Sequence, residues 1–197
     1  MLQSRRPEPI SLDDAILEVL ERLWTTKLNS IALIERWASQ TGDMEIGAGL
    51  SLQLEDERRH LRLIGEQIRR LGGRFPARGA DHHLARPFQE AEASSSDVSR
   101  LFAFYRGIKA FTIDRCGHLI PMVDGTLAQT LEGIAREEER HIRWADSKIQ
   151  RLLTYDKMRE CNILLGHMKT SLELGWERTW RQVQRISDRR FPGSQAQ

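Results

Sequence analysis

The sequence has few cysteines and no long apolar run, and each absence excludes a class of protein. Its two cysteines, Cys116 and Cys161, form no CxxC pair, so zinc-knuckle and rubredoxin-type iron sites are excluded. Two isolated thiols are typical of a reducing compartment. No stretch approaches the ~18 apolar residues that a membrane helix needs, and the first ten residues lack the apolar segment of a signal peptide. We therefore expect a cytoplasmic protein without a membrane partner.

The sequence also lacks an excess of charge of either sign. Lys and Arg total 30 and Asp and Glu total 28, so the formal net charge is only +2. Proteins that bind nucleic acid usually concentrate positive charge on one surface, whereas the pairs Arg58-Arg59 and Arg69-Arg70 lie on predicted helices whose opposite face is apolar. We therefore expect no nucleic-acid partner. The length suits one domain, 1–197, which is large enough to bury a core.

Most of the sequence has the apolar periodicity of α-helices. Apolar residues recur every three or four positions in five segments, which predicts helices over about 12–40, 44–71, 97–122, 126–153 and 156–188. Ser11 and either Ser95 or Ser96 are predicted N-caps, and Gly72 is predicted to end the second helix. Residues 72–95 contain Gly, Pro and His and are predicted to form a long loop. The first helix is predicted to bury one stripe: Leu17, Leu20, Trp24, Leu28, Ile31 and Ile34.

Two of the six histidines follow a glutamate three residues earlier on a predicted helix. Glu57 precedes His60 and Glu138 precedes His141, so each pair shares a helix face. A shift of 81 residues superposes the first pair and its flanking apolar positions on the second, which indicates two copies of one helical hairpin. Because apolar residues flank both pairs, their carboxylates need a counter-charge or a metal. The alternative is that both pairs are solvated surface residues.

The sequence predicts two helical hairpins joined by a long crossover, with Glu-x-x-His on the second helix of each. This pattern resembles the ferritin-like di-iron carboxylate superfamily, which includes rubrerythrin and bacterioferritin. The resemblance covers residues 11–154 and leaves 155–190 as an extra C-terminal helix. It implies an all-α fold, an antiparallel four-helix bundle. In that family a lone glutamate from the preceding helix joins each pair, and four carboxylates and two imidazoles surround two metals.

This sequence has lysines where the resemblance implies the lone glutamates. Residues equally far from the turn of an antiparallel hairpin lie at the same height, which pairs Glu57 with Lys27 and Glu138 with Lys109. The repeat agrees, because an offset of 82 places Lys27 on Lys109. Asp114 is the one other acid that a shifted turn could bring to the site. Alternatively, Lys27 could extend from the helix edge into solvent.

The two lysines change the charge of the predicted site. Four carboxylates balance two divalent metals, whereas two carboxylates and two ammonium groups already sum to zero. We therefore expect no cofactor, and Lys27 and Lys109 are expected to be ion-pair lysines of the core. The alternative is one divalent metal (Fe, Mn or Zn). That vestigial or single-metal site would use four residues: Glu57, His60, Glu138 and His141.

The lysines favour a ferritin-like protein with a binding or structural role and no oxidase activity. The alternative is a non-haem iron or manganese oxidase or oxygenase that uses the two ExxH pairs, with Asp114 or another acid completing the site. A metal-free redox or lysine-based catalyst is a third hypothesis. Some ribonucleotide reductase subunits of the resembled superfamily also have lysine at metal-ligand positions, and Tyr105 lies one turn from Lys109.

Two further features concern surfaces of the molecule. The last predicted helix, with Trp176 and Trp180, is expected to cover the bundle or to form the contact of a homodimer. Asp81, His82 and His83 lie in the crossover, where adjacent histidines are usually solvated and not metal-bound. Neither feature names a substrate or a small-molecule ligand.

Overall fold

The computed structural model describes residues 11–76 and 82–190, and within these ranges every regular element is helical. A π-helical segment spans Phe102–Lys109, and a 3₁₀ turn spans Ile120–Met122. No helix in these ranges is both long and apolar enough to cross a membrane. The prediction of an all-α protein is confirmed. The helices are α1 (Leu12–Gln40), α2 (Met44–Arg70), α3 (His82–Glu92), α4 (Asp97–Leu101), α5 (Ala110–Leu119), α6 (Gly125–Leu152) and α7 (Tyr155–Arg190).

The ends of the helices follow the predicted local signals. Ser11 accepts a hydrogen bond from the backbone N–H of Asp14, and the Asp14 carboxylate accepts one from the backbone N–H of Ser11, which is a capping box. Ser96 caps α4 by accepting from the backbone N–H of Ser99. Gly72 has a φ of +74° just after α2, a conformation that glycine adopts without the penalty paid by other residues.

The predicted loop over 72–95 is wrong in its second half, because α3 lies there. Pro87 lies inside α3, and proline usually opposes a helix interior. The helix forms because α3 packs against both α1 and α7. Its buried residues have helical spacing: Leu84, Pro87, Phe88 and Ala91.

The buried face of α1 is wider than the predicted stripe and rotated from it. Leu20 and Ile34 are buried as predicted, whereas the other four residues of the stripe are only half-buried. The reason is that α1 contacts α2 on one side and α3 and α7 on another. The wider buried face includes a charged residue, Lys27, with a relative exposure of 2%.

The helices pack so that α1 with α2, and α5 with α6, form two hairpins in contact through α2 and α6. The last helix, α7, lies against α1, α3, α4 and the π-helical segment. Two glycines set how closely it approaches. A Cβ on Gly107 would lie 3.3 Å from Leu165 of α7, and a Cβ on Gly175 of α7 would lie 3.2 Å from Leu84. Both distances are tighter than ordinary side-chain contacts, so these positions favour glycine.

Candidate functional site

The structure brings the six predicted site residues together, and we call this set the ion core. Their side chains converge from four parts of the fold: α1, α2, the end of the π-helical segment, and α6. All six residues are buried, with relative exposures between 0% and 6%. The members are Lys27, Glu57, His60, Lys109, Glu138 and His141.

Both lysines of the ion core contact both glutamates. Lys109 Nζ donates to Glu57 Oε1 and to Glu138 Oε2. Lys27 Nζ donates to Glu138 Oε1 and lies 3.1 Å from Glu57 Oε2. Every carboxylate oxygen in the ion core therefore faces an ammonium group, and two positive charges balance two negative ones. The contact at Glu57 Oε2 is an ion pair without a hydrogen bond, and this mutual pairing is what allows charges to persist in so buried a position.

Burial and pairing act in opposite directions on the pKa values of Lys27 and Glu138, and pairing dominates. Burial disfavours the charge on Lys27, but the carboxylates of Glu138 and Glu57 raise its pKa above the ordinary value. Burial also disfavours the charge on Glu138, but Lys109 and Lys27 hold the pKa of that carboxyl well below its usual range. Lys27 and Glu138 are therefore both charged at neutral pH.

Each imidazole of the ion core is held by a carboxylate from the other hairpin. His60 Nε2 lies 2.7 Å from Glu137 Oε2, and His141 Nε2 lies 3.0 Å from Asp56 Oδ2. Burial raises the pKa of both of these carboxyls, but hydrogen bonds from the imidazoles and from Arg59 lower it overall. The other ring nitrogen of each imidazole faces Glu138, since Nδ1 of His60 lies 3.3 Å from Oε1 and Nδ1 of His141 lies 3.4 Å from Oε2.

Asp56 and Glu137 were not predicted as site residues, although the repeat contains the signal. The shift of 81 that superposes the ExxH pairs also superposes Asp56 on Glu137. Arg59 links the two acids, because its Nη2 lies 2.6 Å from Asp56 Oδ1 and also donates to Glu137 Oε2. Each hairpin thus supplies the acid that orients the imidazole of the other.

Three alternatives left open by the sequence are wrong. The ExxH pairs are not solvated surface residues, because all four of their members are buried. Asp114 does not join the ion core, because it is half-exposed and pairs with Arg115 at 3.3 Å and with His118 at 3.7 Å. Lys27 does not extend into solvent, because only 2% of the residue is exposed. The acids in contact with the core lysines are therefore those of the two ExxH pairs.

Three members of the ion core could hold a metal ion. Glu57, Glu138 and His141 each offer one ligand atom, and these atoms lie within 4.8 Å of one another. His60 is not in this group. Lys109 Nζ contacts all three residues, since it donates to both carboxylates and lies 3.4 Å from His141 Nδ1. An ammonium group has three N–H donors, so Lys109 stands among these atoms where a metal would have to bind.

Two divalent metals do not fit these residues. The two carboxylates of the ion core are already balanced by Lys27 and Lys109. Two dications would add four positive charges to a buried site, and the next carboxylates, Asp56 and Glu137, are already paired with Arg59 and the imidazoles. One dication fits only if Lys109 leaves its position, because the metal and the ammonium group would compete for the same three ligand atoms.

Tyr105 and Cys116 border the ion core. Tyr105 is fully buried, donates its hydroxyl to Gln53 Oε1 at 2.7 Å, and has its ring centroid 5.7 Å from Lys109 Nζ. Burial and the two core glutamates raise the pKa of Tyr105 well above its usual value. Burial raises the pKa of the Cys116 thiol to about 12. Both groups stay protonated at neutral pH, which opposes their use as a base or a nucleophile.

The histidine pair of the crossover adds no metal group within the described part of the chain. His82 and His83 are exposed at the start of α3, with ring centroids 6.0 Å apart. Neither belongs to a cluster of possible metal ligands among the described residues. Asp81, which was considered with them, lies outside the described residues.

Comparison with known proteins assigns no family to this chain. No protein-family model, no curated protein and no solved structure matches it. The case for any function therefore depends on the ExxH pairs, the internal repeat and the geometry of the ion core.

Proposed function

We propose that this chain is a divergent ferritin-like protein in which the ion core replaces the di-metal centre, and that it has a binding or structural role and is not an oxidase. The observation that carries the proposal is the position of Lys109. Its ammonium group contacts Glu57, Glu138 and His141, the same three residues that could otherwise hold a metal.

The packing of the helices supports the ferritin-like part of the proposal. α1 packs with α2, α5 packs with α6, and α2 contacts α6, which agrees with a four-helix bundle made of two hairpins. The ExxH pairs lie on α2 and α6, and the lysines lie on the helical segments that precede them. α3 and α7 are additions to this arrangement. A homodimer and a cytoplasmic location stay predictions from the sequence.

The charges of the ion core support a structural role. Its lysines come from α1 and from the π-helical segment, and its glutamates come from α2 and α6. If one helix slid by a turn, at least one buried charge would lose its partner, which is costly in a low-dielectric interior. We infer that the ion core fixes the register of these helices, as buried polar residues do in some helical assemblies.

A one-metal enzyme is the second candidate, and one observation favours it. Both imidazoles contact a carboxylate through Nε2 and direct Nδ1 at Glu138. A second carboxylate partner of this kind is common among metal-ligating histidines. A bound Fe or Mn would supply redox chemistry. Glu57, Glu138 and His141 would hold it, and Lys109 would have to leave its position first.

Oxygen uptake distinguishes the two candidates. The protein is mixed with two equivalents of Fe(II) in the absence of oxygen and is then exposed to O₂. We expect it to consume oxygen no faster than Fe(II) in buffer does. The Lys109 ammonium group should keep the ion from the carboxylates. The measurement uses an oxygen electrode, with Glu138→Gln as the site variant and Glu139→Gln as the exposed control. The proposal is rejected, and the enzyme favoured, if the parent consumes oxygen faster than Fe(II) in buffer and this excess is lost in Glu138→Gln but kept in Glu139→Gln.

A further inference from the structure

A groove runs along the surface between α7 and the opposing π-helical segment and α5. It consists of two adjoining cavities of about 340 and 470 Å³, which share Phe111, Arg115 and Glu173 in their lining. Volumes of roughly 300–1,000 Å³ are usual for small-molecule sites. None of the six ion-core residues lines either cavity. An inference from the groove is therefore independent of the proposed function.

Arg115 lies where the two cavities meet, and its Nε is buried without a hydrogen-bond partner. Its guanidinium carbon lies 4.7 Å from the Phe111 ring centroid and 4.8 Å from that of Trp180, so two aromatic rings fix it in place. It pairs with the adjacent Asp114 at 3.3 Å, an acid that also lies 3.7 Å from His118. A guanidinium group held in this way is suited to bind a carboxylate.

The other cations of the groove have partners of their own. Because Glu173 and Glu177 also line the groove, a ligand with one negative charge fits better than a dianion such as a phosphate ester. Arg115 is the lining cation best placed to meet an anion, because two rings hold it and its side chain is only 19% exposed, whereas the other three are 46–74% exposed. The existing pairs are Arg181 with Glu177, Lys169 with Glu173 at 3.8 Å, and Arg106 with Asp146 at 2.9 Å.

Apolar side chains supply much of the remaining lining on both sides of Arg115. Leu165 and Leu172 lie in one cavity, and Leu174 and Trp176 lie in the other. Leu174 is 53% exposed, although a large apolar side chain usually prefers to be covered. The lining follows α7 from Leu165 to Gln184, which is about 28 Å at about 1.5 Å per residue. These dimensions suit an elongated apolar body.

We propose that this groove binds an amphipathic monocarboxylate, with the carboxylate on Arg115 and the apolar chain against Phe111 and the apolar face of α7. The carboxylate forms a charge-assisted hydrogen bond with the guanidinium group. The chain covers Leu174, whose side chain is otherwise open to water. Asp114 remains beside Arg115 and repels a second negative charge.

Calorimetric titration of the full chain with dodecanoate, kept below its micelle concentration, tests the proposal. We expect saturable 1:1 binding that weakens at least tenfold in Arg115→Gln. Thr170→Phe keeps Arg115 but places a larger side chain at the lining of one cavity, so it should also weaken binding. Arg159→Gln changes an exposed arginine of α7 outside the groove and should bind like the parent. Inorganic phosphate should not bind.

The results that would overturn the proposal are equally specific. They are the absence of binding by the parent at millimolar dodecanoate, equal binding by Arg115→Gln, or equal binding of dodecyltrimethylammonium, which lacks the carboxylate. If circular dichroism shows that Arg115→Gln does not fold, equal binding by Thr170→Phe decides against the proposal. Metal analysis of the parent tests the ion core separately, so either proposal can fail alone.

Discussion

Replacing Lys109 with methionine is expected to lower the free energy of unfolding by about 3–5 kcal/mol, measured by urea denaturation at pH 7. Methionine keeps the unbranched shape of the lysine stem but removes its charge. The variant leaves Glu57 and Glu138 buried with one ammonium group, that of Lys27. One negative charge is then uncompensated in the interior, and this accounts for the large cost.

A second substitution should reverse much of this loss. In the double variant Lys109→Met with Glu57→Met, Lys27 and Glu138 remain as a neutral pair. We expect the double variant to be more stable than Lys109→Met alone, because removing both partners of a buried pair leaves no unpaired charge. Arg58→Met is the control, since it removes an exposed cation that pairs at the surface, and it should change the transition little.

Two results would contradict a neutral, mutually paired ion core. One is a loss of stability for Lys109→Met no larger than the loss for Arg58→Met. The other is a double variant that is less stable than both Lys109→Met and Glu57→Met. Either result would mean that the buried charges are not balanced against one another.

Lys27→Glu combined with Lys109→Glu is expected to convert the ion core into a metal site. Four carboxylates around two neutral imidazoles carry four negative charges, which two divalent cations balance. We expect the double variant to hold about two equivalents of iron or manganese after expression with these metals. Its thermal midpoint should fall when a chelator removes them, because metal bound to the native state stabilises it and four carboxylates repel one another.

The matched control for this conversion is Lys27→Gln with Lys109→Gln. It removes the same two positive charges but adds no carboxylate, so it should hold less metal than the double glutamate variant. Metal content is measured by mass spectrometry on samples whose helicity matches the parent. If the glutamate variant folds but holds no more metal than the parent, the lysines do not stand at metal-ligand positions, and the ferritin-like assignment loses its main support.

The lysines of the ion core could be located from the sequence because their position depends on a short turn. Only residues 41–43 separate α1 from α2, so residues equally far from the turn meet at one height, and Lys27 is placed opposite Glu57. The same reasoning places Lys109 opposite Glu138. The helix ends at Ser11 and Gly72 were likewise predictable, since caps act within one turn of the chain.

The features that could not be predicted depend on tertiary packing. α3 contains Pro87, and only its contacts with α1 and α7 reveal why it is helical. Asp56 and Glu137 resemble ordinary surface acids, and their side chains are in fact 26% and 24% exposed. Their role emerges only when the two hairpins meet. The role of Arg115 in the groove could not be predicted either. One of the two rings that hold it belongs to Trp180, which lies on a helix distant in sequence.

The metal content of the parent protein tests the central claim most directly. The protein is expressed with added iron and manganese, loosely bound ions are removed by gel filtration, and metal per chain is measured by mass spectrometry. We expect less than about a tenth of an equivalent, because the Lys109 ammonium group stands among the three possible ligands and the ion core is already neutral. One or two tightly held equivalents would contradict this and favour the metal enzyme.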